Sequence, residues 1–252
     1  TRRIRISARS TKAPSGAYHW RLPMTPKQRK TKTAYERERR RLHRLHRFEE
    51  AARAKGFRLV GGIDEVGRGP LAGPVVAACV VATQPLFIKG LNDSKAVRPQ
   101  LRIEIAQTVK LRAVAWAVGS ACVAEIDRLN IYWASVLAME RAIAALAEAP
   151  EYLITDAVRI RSFMGPQEPL IRGDARCALV AAASIIAKVH RDALMVELDK
   201  EDARYGYALH KGYSTPFHLE ALRVHGPSIH HRANWARVRD AQLALDPGWI
   251  EE

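Results

Sequence analysis

The chain has 252 residues, with 41 Lys/Arg against 26 Asp/Glu and a formal net charge of +15. That length fits one large domain or two small ones, and a 48% hydrophobic content is enough for a real core. No apolar run reaches the roughly 18 residues of a membrane helix. The three cysteines, Cys79, Cys122 and Cys177, form neither a C-x-x-C pair nor an even disulfide framework, which argues against a zinc module and for a reducing compartment.

The charge is unevenly spread. Residues 1–47 hold 16 Lys/Arg and only two acids, Glu36 and Glu38, whereas residues 48–252 hold 25 basic and 24 acidic residues. A basic arm on a balanced body is the footprint of a polyanion partner such as nucleic acid. Residues 1–33 carry Pro14, Gly16, Pro23 and Pro26, many Ser/Thr and no acid, and are expected to be a disordered basic arm. The expected location is the cytoplasm. An Arg- and Ser-rich leader is also similar to an organelle transit peptide, so an organelle after leader removal is the alternative, with Thr1 a processed start or Met24 an internal one.

From Ala34 to Ala54 the positions Leu42, Leu45, Phe48 and Ala52 recur at helical spacing, predicting a basic amphipathic helix closed by Gly56, within a segment 34–56. Leu59 to Ile63 reads as a short strand ending at Asp64. The β-branched run from Pro74 to Ala82 reads as a buried strand, with Gly67, Gly69 and Gly73 marking a tight connection between the two. Pro99 opens a helix to about Lys110, and Arg112 to Val118 alternates as a third strand. A helix is expected from Val123 to Ala149, a fourth strand from Tyr152 to Thr155 ending at Asp156, a fifth at Leu170–Arg172, and a long helix from Cys177 to Arg204. Strands first, then strands alternating with helices, predict an α/β domain over residues 57–204 with a mixed sheet, followed by a region 205–252.

Three of these strands run into acid: Asp64-Glu65, Asp156 and Asp174. Sites in open α/β sheets collect at the carboxyl ends of strands. Four converging carboxylates repel unless a divalent cation sits among them, and hard oxygen donors suit magnesium or manganese rather than zinc. A pair of such ions is suited to phosphodiester hydrolysis. The same acids are ordinary as turn residues or helix caps, Asp174 above all at the head of the helix that follows.

The segment from Gly62 to Val76, GIDEVGRGPLAGPVV, resembles the signature of ribonuclease HII, the type 2 ribonuclease H family. Leu91-Asn92-Asp93-Ser94-Lys95, Asn130 to Ala142, Gly173-Asp174 with Ala181 to Asp192, His210 to Thr215 and His225 to Ser228 resemble its further blocks, in the family's order over about Arg53 to Arg232. The resemblance implies a ribonuclease-H-like five-stranded sheet flanked by helices, with a C-terminal helical region that helps bind substrate. It implies an endonuclease that hydrolyses the RNA strand of RNA–DNA hybrids and incises DNA 5′ of embedded ribonucleotides. Asp64, Glu65, Asp156 and Asp174 match the family's catalytic acids and would hold two Mg2+ or Mn2+ ions. Thr155-Asp156-Ala157 departs from the Asp-Gly of many members, which bears on the loop's shape and not on the carboxylate.

By the same resemblance, Gly67, Arg68 and Gly69 with Tyr213 would recognise the ribose at an RNA–DNA junction, where the 2′-hydroxyl separates RNA from DNA. Ser94, Lys95, Ser184 and Lys188 are candidate phosphate contacts, Ser184 and Lys188 sharing a helix face, with solvated surface roles as the alternative. Asp192, one turn beyond Lys188, is expected to pair with it. The histidines at 210, 218, 225, 230 and 231 lack zinc spacing and are expected to serve turns, packing or phosphates. The expected partners are RNA–DNA hybrid and ribonucleotide-containing duplex DNA, with no membrane, a monomeric state, and no sliding-clamp peptide, since no aromatic pair follows Gln242. A different nuclease of this fold leaves the Gly-Arg-Gly loop and Tyr213 unexplained, and a binding module without catalysis leaves the four acids unexplained.

Overall fold

The computed structural model describes residues 26–245. Helix α1 (Pro26–Leu45) begins at Pro26 rather than at Ala34, and the expected disorder of residues 1–25 lies outside the described residues. A turn at His46 separates α1 from α2 (Arg47–Ala54), where a single helix was expected. His46 adopts φ −88°, ψ 0°, and its ring bonds back to the Leu42 carbonyl at 2.7 Å, ending one helix as the next starts.

Five strands follow in one mixed sheet: β1 (Val60–Val66), β2 (Val75–Ala82), β3 (Ala115–Ala121), β4 (Tyr152–Asp156) and β5 (Gln167–Leu170), in the order β3-β2-β1-β4-β5. The first three are antiparallel neighbours, and β4 and β5 run parallel to β1 and to each other. In β2 every residue is buried. Val76, Ala78, Val80 and Ala82 enter one core layer, and Val75, Ala77, Cys79 and Val81 the other. A strand covered on both faces has no polar side to alternate with, hence the continuous apolar run.

Helix α3 (Pro99–Arg112) opens on its proline, as expected. The helix expected over Val123–Ala149 is two, α4 (Val123–Leu129) and α5 (Ile131–Ala144). Asn130 breaks them. It takes φ 67°, and its side chain caps α5 by accepting from the backbone N–H groups of Tyr132 and Trp133. One turn of helix, α6 (Gly173–Arg176), leads into α7 (Ala178–Glu201), and η-type 3-10 turns lie at Ser94–Ala96 and Ala203–Tyr205. Helices α8 (Tyr207–His210), α9 (Pro216–His225) and α10 (Ala236–Leu245) complete the described chain.

Two close approaches set the frame. A side chain at Gly62 would meet the Leu179 backbone at 2.3 Å, so α7 lies directly on β1. A side chain at Gly119 would meet the Ala138 carbonyl at 2.2 Å, seating α5 on β3 from the opposite face. The first half of α7 is almost wholly Ala, Val, Leu and Ile and is buried all round, as a helix between layers must be. Its N-terminus is capped neither by Asp174 nor by a local side chain. Instead the buried Glu49 of α2 accepts the Leu179 N–H at 2.8 Å and a contact from the Cys177 thiol at 3.4 Å, placing a carboxylate at the positive end of the helix. A third apolar cluster joins Leu71 and Ala72 of the β1–β2 connection to Met195 of α7 and to Tyr205, Tyr207, Leu222 and Val238. The C-terminal region is thereby fastened to that connection.

Ala157, just past β4, adopts φ 55°. A Cβ in this left-handed region costs roughly 1–2 kcal/mol. Ala157→Gly is expected to stabilise the protein by about 1 kcal/mol in urea unfolding. A midpoint equal to or below that of the parent chain would show the strain to be absent.

Candidate active site

The four acids, Gly67, Arg68, Gly69, Ser94, Lys95, Ser184, Lys188 and Tyr213 line one cleft of about 220 Å³, together with Val66, whereas Asp192 and the histidines lie outside its wall. Asp64 and Glu65 sit within β1, two residues or fewer before its end, and Asp156 is the last residue of β4. Thr155 pairs in parallel with Ile63, so Asp64 and Asp156 emerge side by side at the same end of adjacent strands. Asp174 does not end a strand, as had been expected. The fifth strand stops at Leu170, Arg172 turns through φ 57°, and Asp174 lies in the single turn of α6. The Gly173 N–H donates to Asp156 Oδ1 at 2.7 Å and draws α6 onto the end of β4.

Asp64 is only 4% exposed. Burial pushes its carboxyl well above the usual carboxylate range, and the charges of Glu65, Asp156 and Asp174 push the same way. Burial raises Glu65 too, against the pull of Arg68, whose Nη1 lies 3.1 Å from Glu65 Oε1. Asp174 is raised by burial and then by Asp93 and Asp156, with Lys95 opposing. Lys95 Nζ stands 3.6 Å from Asp174 Oδ2 and 3.9 Å from Asp93 Oδ1.

These carboxylates fit a divalent cation on chemical grounds. They are hard oxygen donors carrying surplus negative charge in a dry place, and Glu65 Oε2 is buried without a hydrogen-bond partner. Among the described residues, no three Asp, Glu, His or Cys side chains already form a group that could hold an ion. Arg68, Lys95 and the Gly173 N–H each engage one of the acids, Glu65, Asp174 and Asp156 in turn.

The other predicted contacts divide into two kinds. Ser94 and Ser184 are buried, and the Ser184 hydroxyl donates to that of Ser94 at 2.9 Å. This bond laces the 91–95 loop to α7, and both residues line the cleft beside the acids. Lys188 makes the expected pair with Asp192, Nζ to Oδ1 2.6 Å, and Asp192 also receives Arg102 at 3.3 Å. Lys188 Nζ lies 5.9 Å from the centre of the Tyr213 ring. Tyr213 is half exposed, and its ring stands over Gly69, 3.9 Å from where a side chain there would begin.

Two arginines that the sequence reading passed over hold this loop in shape. Arg232 is fully buried, and all five of its guanidinium bonds go to carbonyls: Nε and Nη2 to Gly73, Nη1 to Arg68 and Pro70, Nη2 to Gly67, at 2.5–3.0 Å. Arg191 donates to the carbonyls of Pro74, Ala72 and Lys211 at 2.9–3.1 Å, tying the loop to the segment that carries Tyr213. Burial and the neighbouring Arg191 bring Arg232 down to about 9, still above neutrality. Gly67, at φ 92°, has Arg191 Nε 2.2 Å from the place of a Cβ, so glycine is required both for the turn and for the arginine.

The crowded histidines form a relay. The Ser228 N–H donates to His231 Nδ1 at 2.9 Å, which places the His231 proton on Nε2. That proton goes to His218 Nε2 at 2.9 Å, and His218 Nδ1–H donates to the Tyr213 carbonyl at 2.9 Å. Burial lowers His218 to about 4 and His231 to about 3, keeping both neutral near pH 7.

A family model described as ribonuclease HII matches residues 61–238. The ribonuclease HII of Geobacillus thermodenitrificans is 47% identical over 212 residues, covering 84% of this chain and 82% of that protein. Among solved structures, the ribonuclease H2 of Pyrococcus horikoshii OT3 superposes with a TM-score of 0.60 at 24% identity, covering 73% of this chain and 97% of that one. A Bst-RNase HIII in complex with Mn2+ superposes with a TM-score of 0.60 at 22% identity, covering 81% and 72%.

The raised pKa of Asp64 carries a stability consequence. The native state holds its proton more tightly than the unfolded chain, so stability is lost as pH rises through the native pKa. In EDTA at pH 8, Asp64→Asn is expected to melt about 2–4 °C above the parent chain, roughly 1 kcal/mol at this size. The gap should close as pH falls toward the ordinary carboxylate range. A variant that melts at or below the parent at pH 8 would show the cluster to be unstrained.

Proposed function

The chain belongs to the ribonuclease HII family and is a ribonuclease H, and we propose that it hydrolyses the RNA strand of RNA–DNA hybrids and incises duplex DNA on the 5′ side of single embedded ribonucleotides. The observation that carries this reading is one cleft lined both by the four acids and by the Gly67-Arg68-Gly69 loop with Tyr213. Phosphodiester chemistry and a sugar-reading surface therefore meet at one place.

Asp64, Glu65, Asp156 and Asp174 are the residues to hold divalent ions, Mg2+ or Mn2+. A pair of such ions supplies an activated water and stabilises charge on the leaving 3′ oxygen. Asp64 is the most enclosed of the four and feels the charges of the other three, so it would be the central ligand residue. Arg68 and Lys95 pair with Glu65 and Asp174 and, being exposed, are also placed to meet substrate phosphates.

The loop backbone, opened at Gly67 and Gly69, lets a ribose approach closely, and the Tyr213 ring packs on the adjoining sugar. Arg232 and Arg191 fix the loop's carbonyls and Leu71 and Gly73 donate to Gly212 and His230, so in this reading the N–H groups of Gly67, Arg68 and Gly69 are the ones to face the 2′-hydroxyl. Reading the hydroxyl and not the base distinguishes RNA from DNA without a sequence requirement.

The test compares a DNA duplex holding one ribonucleotide with an RNA–DNA hybrid, in Mg2+, in Mn2+ and in EDTA. The parent chain should cut both, in metal only, leaving a 3′-hydroxyl and a 5′-phosphate. Asp64→Asn should lose several orders of magnitude on both. Tyr213→Ala should lose about tenfold or more on the single-ribonucleotide duplex, in line with roughly 1–3 kcal/mol for an aromatic packing contact, and less on the hybrid, where neighbouring riboses compensate. Near-normal turnover of Asp64→Asn would sink the catalytic assignment, and equal losses for Tyr213→Ala would reduce that ring to packing.

A further inference from the structure

A second cleft, of about 290 Å³, lies beside the catalytic one and is lined by Arg41, Arg44, Arg47, Arg176 and Asn92 among others, with no acid in its wall. The arginines come from separate places in the chain, α1, α2 and α6. Arg41 is neutralised by Glu38, Nε to Oε2 2.8 Å and Nη2 to Oε1 2.9 Å, and this pair also anchors the Gly90 N–H. Arg44, Arg47 and Arg176 remain, all three exposed. Arg47 and Arg176 are pre-set against one ring, their guanidinium carbons 4.6 Å and 5.3 Å from the centre of Phe48. Arg176 Nη1 is also held by the Ile171 carbonyl at 2.9 Å. Three like charges gathered in a wall without a carboxylate, two of them held against one ring, make a receptor for an anion with several oxygens, which the guanidinium fork suits.

The position of the cleft says which anion. Arg176 follows Asp174 by two residues in α6, and Asn92 adjoins Asp93, whose carboxylate shares Lys95 with Asp174. The two clefts therefore draw on the same α6 turn and the same 92–95 loop, which form the rim between them. A nucleic-acid strand presents a phosphate every 3.4 Å or so of duplex axis. A strand with one phosphodiester at the acids carries the next ones across this rim.

We propose that Arg44, Arg47 and Arg176 form a backbone-phosphate site, taking a phosphodiester of the substrate duplex outside the scissile position. The inference rests on the nuclease reading and adds to it a site that engages α1 and α2 with substrate. The site positions the duplex and reads no sequence.

The experiment uses the full chain with Arg44→Gln/Arg47→Gln, with Arg176→Gln, and with all three. Thermal melting confirms that each is folded. Two readouts are taken: KM and kcat on a duplex with one ribonucleotide, and binding of an all-DNA duplex in EDTA across a salt series. The triple variant should raise KM about tenfold or more near 0.1 M salt, with a smaller effect on kcat, and should flatten the log–log salt slope by about 2–3. Arg47→Lys should retain most of the slope, because the charge remains. If the parent chain cuts but KM and slope are unchanged in the triple variant, the phosphate site falls alone. If the parent chain cuts no ribonucleotide-containing duplex while the slope still flattens, the nuclease reading falls and the site stands as a DNA grip. If inorganic phosphate raises the melting temperature of the parent chain and not of the triple variant, with duplex binding unaltered, the cleft is a small-anion pocket and the proposal is overturned.

Discussion

A carboxylate enclosed on the central strand of a sheet, with three more turned toward it, is the constraint around which this molecule is arranged. Charges in such a place repel strongly, because little water screens them. The chain meets this with one partner per acid: Arg68 for Glu65, Lys95 for Asp174, the Gly173 N–H for Asp156 and the Ser184 hydroxyl beside Asp64. Each partner lies within a few residues of an acid or on a helix pressed against its strand. Gly62 matters for the same reason. Because α7 touches the β1 backbone there at Leu179, Ser184, a little over one turn further along, arrives beside Asp64 and can be latched to Ser94. The frame concentrates negative charge and holds it without cancelling it.

The buried arginines follow a complementary logic. Burying a guanidinium is costly unless its donors are satisfied. Arg232 and Arg191 satisfy theirs with backbone carbonyls rather than carboxylates. A carboxylate partner there would add to the cluster already strained at Asp64. Carbonyl acceptors add none, so two positive charges remain behind the Gly67-Arg68-Gly69 loop. The carbonyls in turn belong to residues 67–74, a stretch with no strand partner for most of its length. One group of donors thus replaces a ladder of hydrogen bonds and fixes a loop that glycine alone would leave soft.

The four acids, the loop and Tyr213 were legible because they sit in short runs with strong local signals: an apolar strand, then acid, then glycine. The five strands were legible for the same reason, although the fifth is displaced to Gln167–Leu170, since the polar Gln167 and Glu168 mask it. Asn130 was not legible as a break, because its flanks are good helix formers and only its positive φ separates them. The bond between the Ser94 and Ser184 hydroxyls was not legible either, because sequence reports residue type and not burial. Arg191 and Arg232 were missed for the same reason. An arginine looks like surface charge until the carbonyls that surround it are seen. Glu49 is the same case: its partner, the head of α7, lies 130 residues away in the chain.

The acids of the cleft and the histidines behind Tyr213 are driven in opposite directions by the same burial. The acids must be ionised to hold a cation, and in the metal-free chain burial and mutual repulsion work against that. An arriving divalent ion reverses the balance, since opposite charge favours the ionised form. The histidine relay behind Tyr213 must instead stay neutral, because a proton on either acceptor nitrogen would break the chain from Ser228 to the Tyr213 carbonyl. Its histidines are pushed down to about 4 and about 3. Protonation is thus favoured by the surroundings at Asp64, Glu65 and Asp174 and disfavoured at His218 and His231. One cause acts in both places: burial away from water favours the uncharged form, which is the acid of a carboxyl and the base of an imidazole.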